Sequence, residues 1–237
     1  GVPTTQFDMG DSDYMGGVKF DFLTVKILDK IRVAMEHLID DGQIEEKDSL
    51  RETYNNSLHP AVLDYDSKEL WKKASSGEVI SLFQFNTMVG SNAIKEVQPK
   101  NLKEMATANS LMRLVSDSSI QPLDKFIKYR KNIDLWYEEM FQNGLTEEES
   151  DIMKKHLSSS YGIAATQEDL MEILMDENIA DFTVVEAHKA RKAIAKKKPK
   201  LIKQLKKEYF KRSKERAETS NNLINYVWNY CIKPQLG

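Results

Sequence analysis

Residues 18–42 read VKFDFLTVKILDKIRVAMEHLIDDG, and the spacing of the apolar residues changes within this stretch. Residues 18–22 alternate between apolar and polar side chains, which is typical of a short, half-buried strand. From Leu23 onward the apolar residues recur at helical spacing, and Gly42 ends the pattern. The helical stripe consists of Leu23, Ile27, Ile31, Met35 and Leu38. We therefore predict a short strand that leads directly into a helix.

The sequence on either side of this stretch differs in character. The first 20 residues are rich in glycine and aspartate, which predicts a loop. After Gly42 almost every segment carries helical signals joined by short polar turns. Thr146 followed by Glu149 forms a capping box, and Thr166 can cap a further helix. The sequence thus predicts a mainly α protein, with a short β and loop segment followed by a multi-helix domain.

Prolines mark two more helix starts. Pro122 and Pro199 suit the first turn of a helix, where a missing backbone N–H costs nothing. The last helix is predicted to run without a break from about Pro199 to Tyr230, basic at first and aromatic later.

Composition sets limits on the class of protein. The chain has 237 residues, of which 41% are hydrophobic and 30% charged, as in ordinary globular proteins. No apolar run approaches the roughly 20 residues that a membrane span needs, and the first residues do not resemble a signal peptide. The single cysteine excludes a disulfide framework within the chain. We expect a cytoplasmic protein with no membrane partner.

Charge is distributed very unevenly along the chain. Residues 186–216 hold 14 lysines and arginines against three glutamates, although the whole chain has a net charge of −3. A block of this kind can face phosphate groups, and it also fits a solvated helix face. Composition alone leaves both interpretations open.

Two groups of residues could carry chemistry. Asp21 lies at the centre of the predicted strand, two residues from Lys19, where a carboxylate could hold a divalent metal ion for phosphoryl transfer. An ordinary surface aspartate fits the same position. Arg191, Lys192 and the lysines at 196–198 fall near the end of one helix and the start of the next, where backbone N–H groups attract anions. They could bind a triphosphate or a nucleic-acid backbone.

Other sites are excluded by their missing patterns. The four histidines show no metal-ligand spacing to each other or to the cysteine. Neither the phosphate-binding Gly-Lys-Ser/Thr loop nor the dinucleotide Gly-x-Gly-x-x-Gly fingerprint occurs.

Five segments, taken in chain order, resemble the alpha subunit of bacterial DNA polymerase III, the C-family replicative polymerase. The family patterns are "TQFDM" with "KFDFLG", "GVFQFES", "ALYRPGP", "TYGVIVYQEQ" and "RRAMGKKKP". The similar residues are Thr5-Gln6-Phe7-Asp8-Met9 with 18–23, Gly77 with Leu82-Phe83-Gln84-Phe85, Leu111-Met112-Arg113, Ser160-Tyr161-Gly162-Ile163 through Gln167-Glu168, and 191–199.

The resemblance implies an organisation and an activity. Residues 1–27 would be the C-terminal end of a polymerase palm, and residues 28–237 a helical fingers domain that continues beyond this sequence. The implied activity is that of a DNA-directed DNA polymerase, a nucleotidyltransferase of DNA replication. The implied cofactor is Mg²⁺. The implied partners are a DNA primer–template, deoxynucleoside triphosphates and the remaining palm and thumb segments.

The resemblance also assigns site residues. Asp21 would be the third metal-binding carboxylate of the palm, and Lys19 would neutralise phosphate charge beside it. The residues expected to contact nucleotide or DNA are Arg113, Arg191, Lys192, Lys196, Lys197 and Lys198.

Departures from the family patterns indicate a divergent relative, which we expect to be phage-encoded. Thr24 replaces a glycine, Asn86 replaces a glutamate, and Lys192 replaces the second of two arginines. The paired palm aspartates of the family do not occur in the chain, so we expect the isolated chain to be inactive. The alternative is a non-catalytic nucleic-acid-binding module or scaffold derived from a polymerase.

Overall fold

A computed structural model describes residues 3–20, 26–114 and 120–236. Helices account for most of this part of the chain, and the described residues contain no strand. The predicted mainly α fold is confirmed. The helices are α1 Met9–Tyr14, α2 Ile27–Asp40, α3 Leu50–Ser57, α4 Lys68–Ser75, α5 Met88–Val97, α6 Leu102–Leu111, α7 Pro122–Lys131, α8 Asp134–Gln142, α9 Glu147–Leu157, α10 Gln167–Met175, α11 Val184–Lys196, α12 Pro199–Glu215 and α13 Asn221–Tyr226.

Two compact units divide the chain, one of residues 1–63 and one of residues 64–237. A strand was predicted at residues 18–22 in the first unit. Its described part, residues 18–20, forms no strand, so the prediction is wrong there. An extended segment becomes a strand only when another strand accepts its backbone hydrogen bonds, and no described residue does so. Residues 21 and 22, including Asp21, lie outside the described residues.

Helix α2 confirms that the helical pattern ends at Gly42, as predicted. It ends at Asp40, and Gly42 follows with a φ of +70°, a conformation that suits glycine. The backbone N–H of Gly42 donates to the carbonyl of Ile39 and closes the turn.

The predicted helix starts of the second unit are present. The backbone N–H of Glu149 donates to Thr146 Oγ1 over 3.2 Å, and the Glu149 carboxylate accepts from the Thr146 N–H at 2.9 Å. Thr166 caps α10 in the same way, while Pro122 and Pro199 occupy the first positions of α7 and α12. These starts depend on residues within one turn, which is why the sequence predicts them.

The long helix predicted from Pro199 to Tyr230 is wrong. Helix α12 ends at Glu215, and a turn in which Glu218 has a φ of +49° leads to α13. The Thr219 hydroxyl lies within hydrogen-bonding distance of the carbonyls of Asn178 and Ile179, at 2.8 and 3.0 Å. The chain turns here because Thr219 anchors it to a distant loop. A π-helical turn, Val227–Ile232, and a short 3₁₀ helix, Lys233–Leu236, follow α13.

One apolar core lies within the second unit. Trp136 is fully buried, and its Nε1 donates to the Tyr226 hydroxyl over 3.0 Å. Gly162, with a φ of +81°, lies against the Trp136 ring so closely that a Cβ would stand 2.5 Å from a ring carbon. Cys231 is buried in the π-helical turn, and this burial raises the pKa of its thiol to about 12.

A polar network ties α9 to the loop after α10. The Asp176 carboxylate accepts hydrogen bonds from Lys155 Nζ at 3.1 Å and the Asn178 backbone N–H at 2.9 Å, and it lies 2.8 Å from His156 Nε2. Burial opposes ionisation of Asp176, but these hydrogen bonds outweigh it and lower the pKa to about 2. Asp176 thereby fixes the connection between α10 and α11.

Within the described ranges, no helix is both long enough and apolar enough to cross a bilayer.

Candidate functional site

A cleft of about 410 Å³ opens in the second unit where α6 ends, α10 begins and α11 ends. It is the place where residues from three of the resembling segments come together. Its lining residues are Ser110, Arg113, Leu114, Ala165, Thr166, Gln167, Glu168, Ile194, Ala195, Lys197 and Gln235.

The start of α10 forms one wall of the cleft. Thr166 is the N-cap residue, and Gln167 and Glu168 are the first two residues of the helix. The N-terminus of a helix carries a partial positive charge that favours an anion. At α10 the Asp169 carboxylate already accepts from the N–H groups of Ala165 and Thr166, and the Asp169 N–H donates to Thr166 Oγ1. The exposed carboxylate of Glu168 is the one acidic side chain among the lining residues.

Arg191 reaches this wall from α11, which packs against α10. Its Nη1 donates to Gln167 Oε1 over 3.2 Å, so the guanidinium is attached to a residue that lines the cleft. Its Nε is buried and has no hydrogen-bond partner within the described ranges. The side chain as a whole is half-buried.

Arg113 also lines the cleft, just after α6. Its Nη2 donates to Gln84 Oε1. Gln84 has a φ of +67°, and its carbonyl lies so close to Gly90 on α5 that a Cβ there would stand 2.7 Å away. The glycine therefore allows the Gln84 segment to lie directly on α5, which places the amide beside Arg113.

The lysines at 196–198 occupy the junction of α11 and α12. Lys196 is the last residue of α11, Lys197 follows with a φ of +48°, and Lys198 is the N-cap residue of α12. All three are exposed, and Lys197 lines the cleft. The predicted helix junction is present, and Lys192 is exposed one turn earlier on α11.

The two ends of the basic block at 186–216 differ in their partners. Near the end of α12, Arg212 pairs with Glu186, and Arg216 lies 3.5 Å from Asp181 and 3.7 Å from Glu186. Hydrogen bonds from Thr183, together with the positive charges of Arg212 and Arg216, lower the pKa of Glu186 below its ordinary value, against the effect of burial. This end of the block is neutralised within the fold.

Five lysines at the end of α11 and in the first half of α12 differ from these arginines. None of the five forms an ion pair with any residue that the structure describes: Lys196, Lys198, Lys200, Lys203 and Lys207. Positive charge therefore remains along this part of the block.

The structure says less about the predicted metal site. Asp21 lies outside the described residues, and Lys19 is an exposed residue of the first unit. Within 3–20, 26–114 and 120–236, no group of three or more histidine, cysteine, aspartate or glutamate side chains is arranged to hold a metal ion.

Sequence reasoning missed three polar residues of the site: Gln84, Gln167 and Gln235. The first two lie inside segments that resemble the polymerase patterns, so a signal for them was present. Gln84 contacts an arginine 29 residues away and Gln167 an arginine 24 residues away, and local spacing does not predict such contacts.

These features define a class: a helical domain with a cleft at a helix N-terminus that is lined by Arg113 and Lys197. Residues 42–217 match the finger domain of the bacterial DNA polymerase III alpha subunit. This match covers well over half of the sequence. The chain therefore belongs to this finger-domain family, and the resemblance noted in the sequence is confirmed.

Individual relatives agree with the family. Over all 237 residues the chain is 50% identical to the probable DNA polymerase YorL of Bacillus subtilis strain 168 and to a DNA-directed DNA polymerase of Bacillus phage SPbeta. Over 201 residues, 83% of the chain, it is 29% identical to the DNA polymerase III subunit alpha of Escherichia coli K12. The chain spans 18% of the length of the first two relatives and 16% of the third.

Proposed function

We propose that this chain is part of a phage-encoded, DNA-directed DNA polymerase that acts in DNA replication in the bacterial cytoplasm. Residues 1–27 form the end of the palm, and residues 28–237 belong to the fingers. Its substrates are deoxynucleoside triphosphates and a primer–template, and its structural partners are the remaining palm and thumb segments. Membership of the finger-domain family and the similarity of all 237 residues to part of a phage polymerase support this proposal.

One structural observation supports a specific binding site for the nucleotide. Arg113, Lys197 and the Gln167 that contacts Arg191 all meet at one cleft, at a helix N-terminus. We infer that this cleft receives the triphosphate of the incoming nucleotide. Lys192, Lys196 and Lys198 lie on the neighbouring surface and bind phosphates of the nucleotide or of DNA.

The chemistry that these residues supply is binding and charge neutralisation. Phosphoryl transfer needs the reacting groups to be positioned and the charge on the phosphate oxygens to be stabilised. Arginines do both, because the planar guanidinium donates two parallel hydrogen bonds to phosphate oxygens. The fingers therefore contribute to the rate through the orientation of the triphosphate.

In this proposal the chain supplies only part of a metal site. Mg²⁺, when bound, would neutralise phosphate charge and activate the attacking hydroxyl, with Asp21 as one ligand and Lys19 beside it. The described residues contain no cluster of carboxylates that could complete such a site. Because one carboxylate cannot hold two metal ions, we expect the isolated chain to catalyse no primer extension.

A chimeric polymerase tests the proposal. The matching segment of the phage SPbeta polymerase would be replaced by this chain, and primer extension would be measured with increasing deoxynucleotide concentration. We expect the chimera to extend primers, Asp21→Asn to abolish extension, and Arg113→Ala or Arg191→Ala to lower kcat/KM for the nucleotide at least about tenfold. Lys131→Ala, at an exposed site outside the cleft, is the matched control and should leave kcat/KM unchanged.

The same experiment separates the polymerase from the non-catalytic alternative. A scaffold or plain nucleic-acid-binding module would fold within the chimera and bind DNA but support no extension. A folded chimera without activity, or full activity after Asp21→Asn, would contradict the proposal.

A further inference from the structure

The arginines of the second unit fall into two groups according to the side chain with which each guanidinium is paired. Residues 64–237 contain five arginines, all of them described. Arg130, Arg212 and Arg216 pair with the carboxylates of Glu104, Glu186 and Asp181. Arg113 and Arg191 instead donate to the amide oxygens of Gln84 and Gln167.

The chemistry of the acceptor decides what the arginine can still do. A carboxylate orients a guanidinium and cancels its charge, which suits a residue that holds helices together. An amide oxygen orients the guanidinium without changing its net charge. An arginine held by glutamine therefore keeps its full attraction for an anion.

The location of the two glutamine-held arginines matches this difference. Arg113 and Gln167 both line the cleft, and Arg191 is attached to Gln167. Gln84 is fixed in turn by the close approach of its carbonyl to Gly90. By contrast, none of the three carboxylate-paired arginines is among the residues that line the cleft.

We propose that Gln84 and Gln167 are positioning residues that hold Arg113 and Arg191 in place as uncancelled positive charges for a polyphosphate ligand. This inference rests on the proposed function of the cleft and extends it. Each glutamine fixes one amino group of its guanidinium, and the other amino group makes no hydrogen bond to any residue within the described ranges. Arranging donors before the ligand arrives reduces the ordering cost of binding.

The test replaces glutamine with glutamate, which should preserve or raise the stability of the fold but weaken the binding of an anion. Gln84→Glu and Gln167→Glu keep the acceptor oxygen and the size of the side chain but supply a carboxylate. If the glutamines serve only the fold, a carboxylate holds the arginine at least as well. If they preserve charge, the same substitution weakens anion binding.

Binding would be measured by calorimetry at low salt with inorganic tripolyphosphate as the probe, and folding by the thermal midpoint Tm. We expect each glutamate variant to keep or raise Tm and to weaken tripolyphosphate binding about tenfold, the scale of one charge-assisted contact. Gln235→Glu is the matched control, because it introduces the same charge into the same cleft at a glutamine that, among the described residues, hydrogen-bonds the carbonyl of Ala164 and no arginine. It should weaken binding about threefold or less, through general electrostatics alone.

A double-mutant comparison locates the effect. In an Arg191→Ala background, Gln167→Glu should weaken binding no more than the Gln235→Glu control does. If Gln167→Glu leaves tripolyphosphate binding within twofold of the parent, or matches Gln235→Glu in the parent background, the positioning role is refuted. If the parent does not bind, or if Arg113→Ala and Arg191→Ala leave binding unchanged, the proposed function of the cleft fails and the inference fails with it.

Discussion

At the scale of single residues, Gly162 occupies a position that a larger residue could not fill without strain. Its backbone lies in the left-handed region, and a Cβ would overlap the ring of the fully buried Trp136. Gly162→Ala should lower the free energy of unfolding by about 2–4 kcal/mol, because backbone strain and overpacking add together. Denaturation by urea would measure the change.

Gly144→Ala is the matched control for this substitution. Gly144 has a similar φ of +79° in the same unit, but a Cβ there would meet only the end of the Asn222 side chain. We expect a loss of about 1–2 kcal/mol from backbone strain. Equal losses at the two glycines would show that contact with the Trp136 ring contributes nothing.

Asp176 makes stability depend on pH in a defined direction. Its pKa in the folded protein, about 2, lies below the ordinary value of 3.8, so the carboxylate stabilises the fold above pH 4. That contribution is lost as the pH falls from about 4 towards 2. One pKa unit corresponds to ~1.4 kcal/mol, which gives the ionised carboxylate about 2 kcal/mol at neutral pH.

Asp176→Asn tests this contribution. The variant should be about 2 kcal/mol less stable than the parent at pH 7, and the difference should shrink as the pH approaches 2. Urea unfolding curves at pH 7, 5, 3.5 and 2.5 measure it. A difference that stays constant over this range would mean that Asn fails for reasons of shape and not of charge.

At the scale of elements, the junction of α11 and α12 should determine how the chain responds to salt. Changing Lys196, Lys197 and Lys198 together to alanine removes up to three phosphate contacts. The slope of log affinity for duplex DNA against log salt concentration should then flatten by up to about 2.7, or ~0.9 for each contact. Fluorescence anisotropy with a labelled duplex at several salt concentrations gives the slope.

A matched triple substitution controls for total charge. Lys73, Lys103 and Lys131 are exposed, lie on α4, α6 and α7, and are absent from the cleft. Replacing them with alanine changes the net charge equally. An equal flattening of the slope in both triple variants would show that the junction has no special part in binding.

The elements also show how far sequence reasoning reached. Thr146, Thr166 and Pro199 act on their own helix ends, so local patterns predicted those helices correctly. The break after Glu215 could not be predicted, because Thr219 forms its hydrogen bonds with a loop 40 residues away. Alternation at 18–22 predicted a strand, but pairing requires a second strand that local spacing does not reveal.

The candidate site divides in the same way. The basic cluster at 191–199 was visible as composition and as a resemblance, and the structure places it at the predicted helix junction. Its relation to Arg113 and to the two glutamines exists only in the folded chain, because these residues lie on four separate segments. The role of Asp21 stays a prediction.

At the scale of the whole molecule, the two units should differ in whether each can fold without the other. All members of the main apolar core come from residues 74–236, so the second unit holds the interactions that stabilise it. We expect residues 64–237 alone to unfold cooperatively with a Tm within about 5 °C of the full chain, a shift that corresponds to ~2 kcal/mol for a unit of this size. Circular dichroism during heating measures this.

The outcome would also constrain the first unit. Residues 1–63 contribute one buried apolar side chain, Met35, within the described ranges, so we expect them to show no cooperative transition of their own. An unfolded or aggregated 64–237 fragment would contradict the assignment of the stabilising core to the second unit.

The thiol of Cys231 can be used to measure how often the structure around it opens. It is the single thiol of the sequence, it is buried, and its raised pKa leaves almost no reactive thiolate at neutral pH. A colorimetric thiol reagent can therefore reach the sulfur only when the π-helical turn separates from its neighbours. The dependence of the labelling rate on denaturant would then distinguish local opening of the C-terminal segment from unfolding of the entire unit, without an added dye or an engineered site.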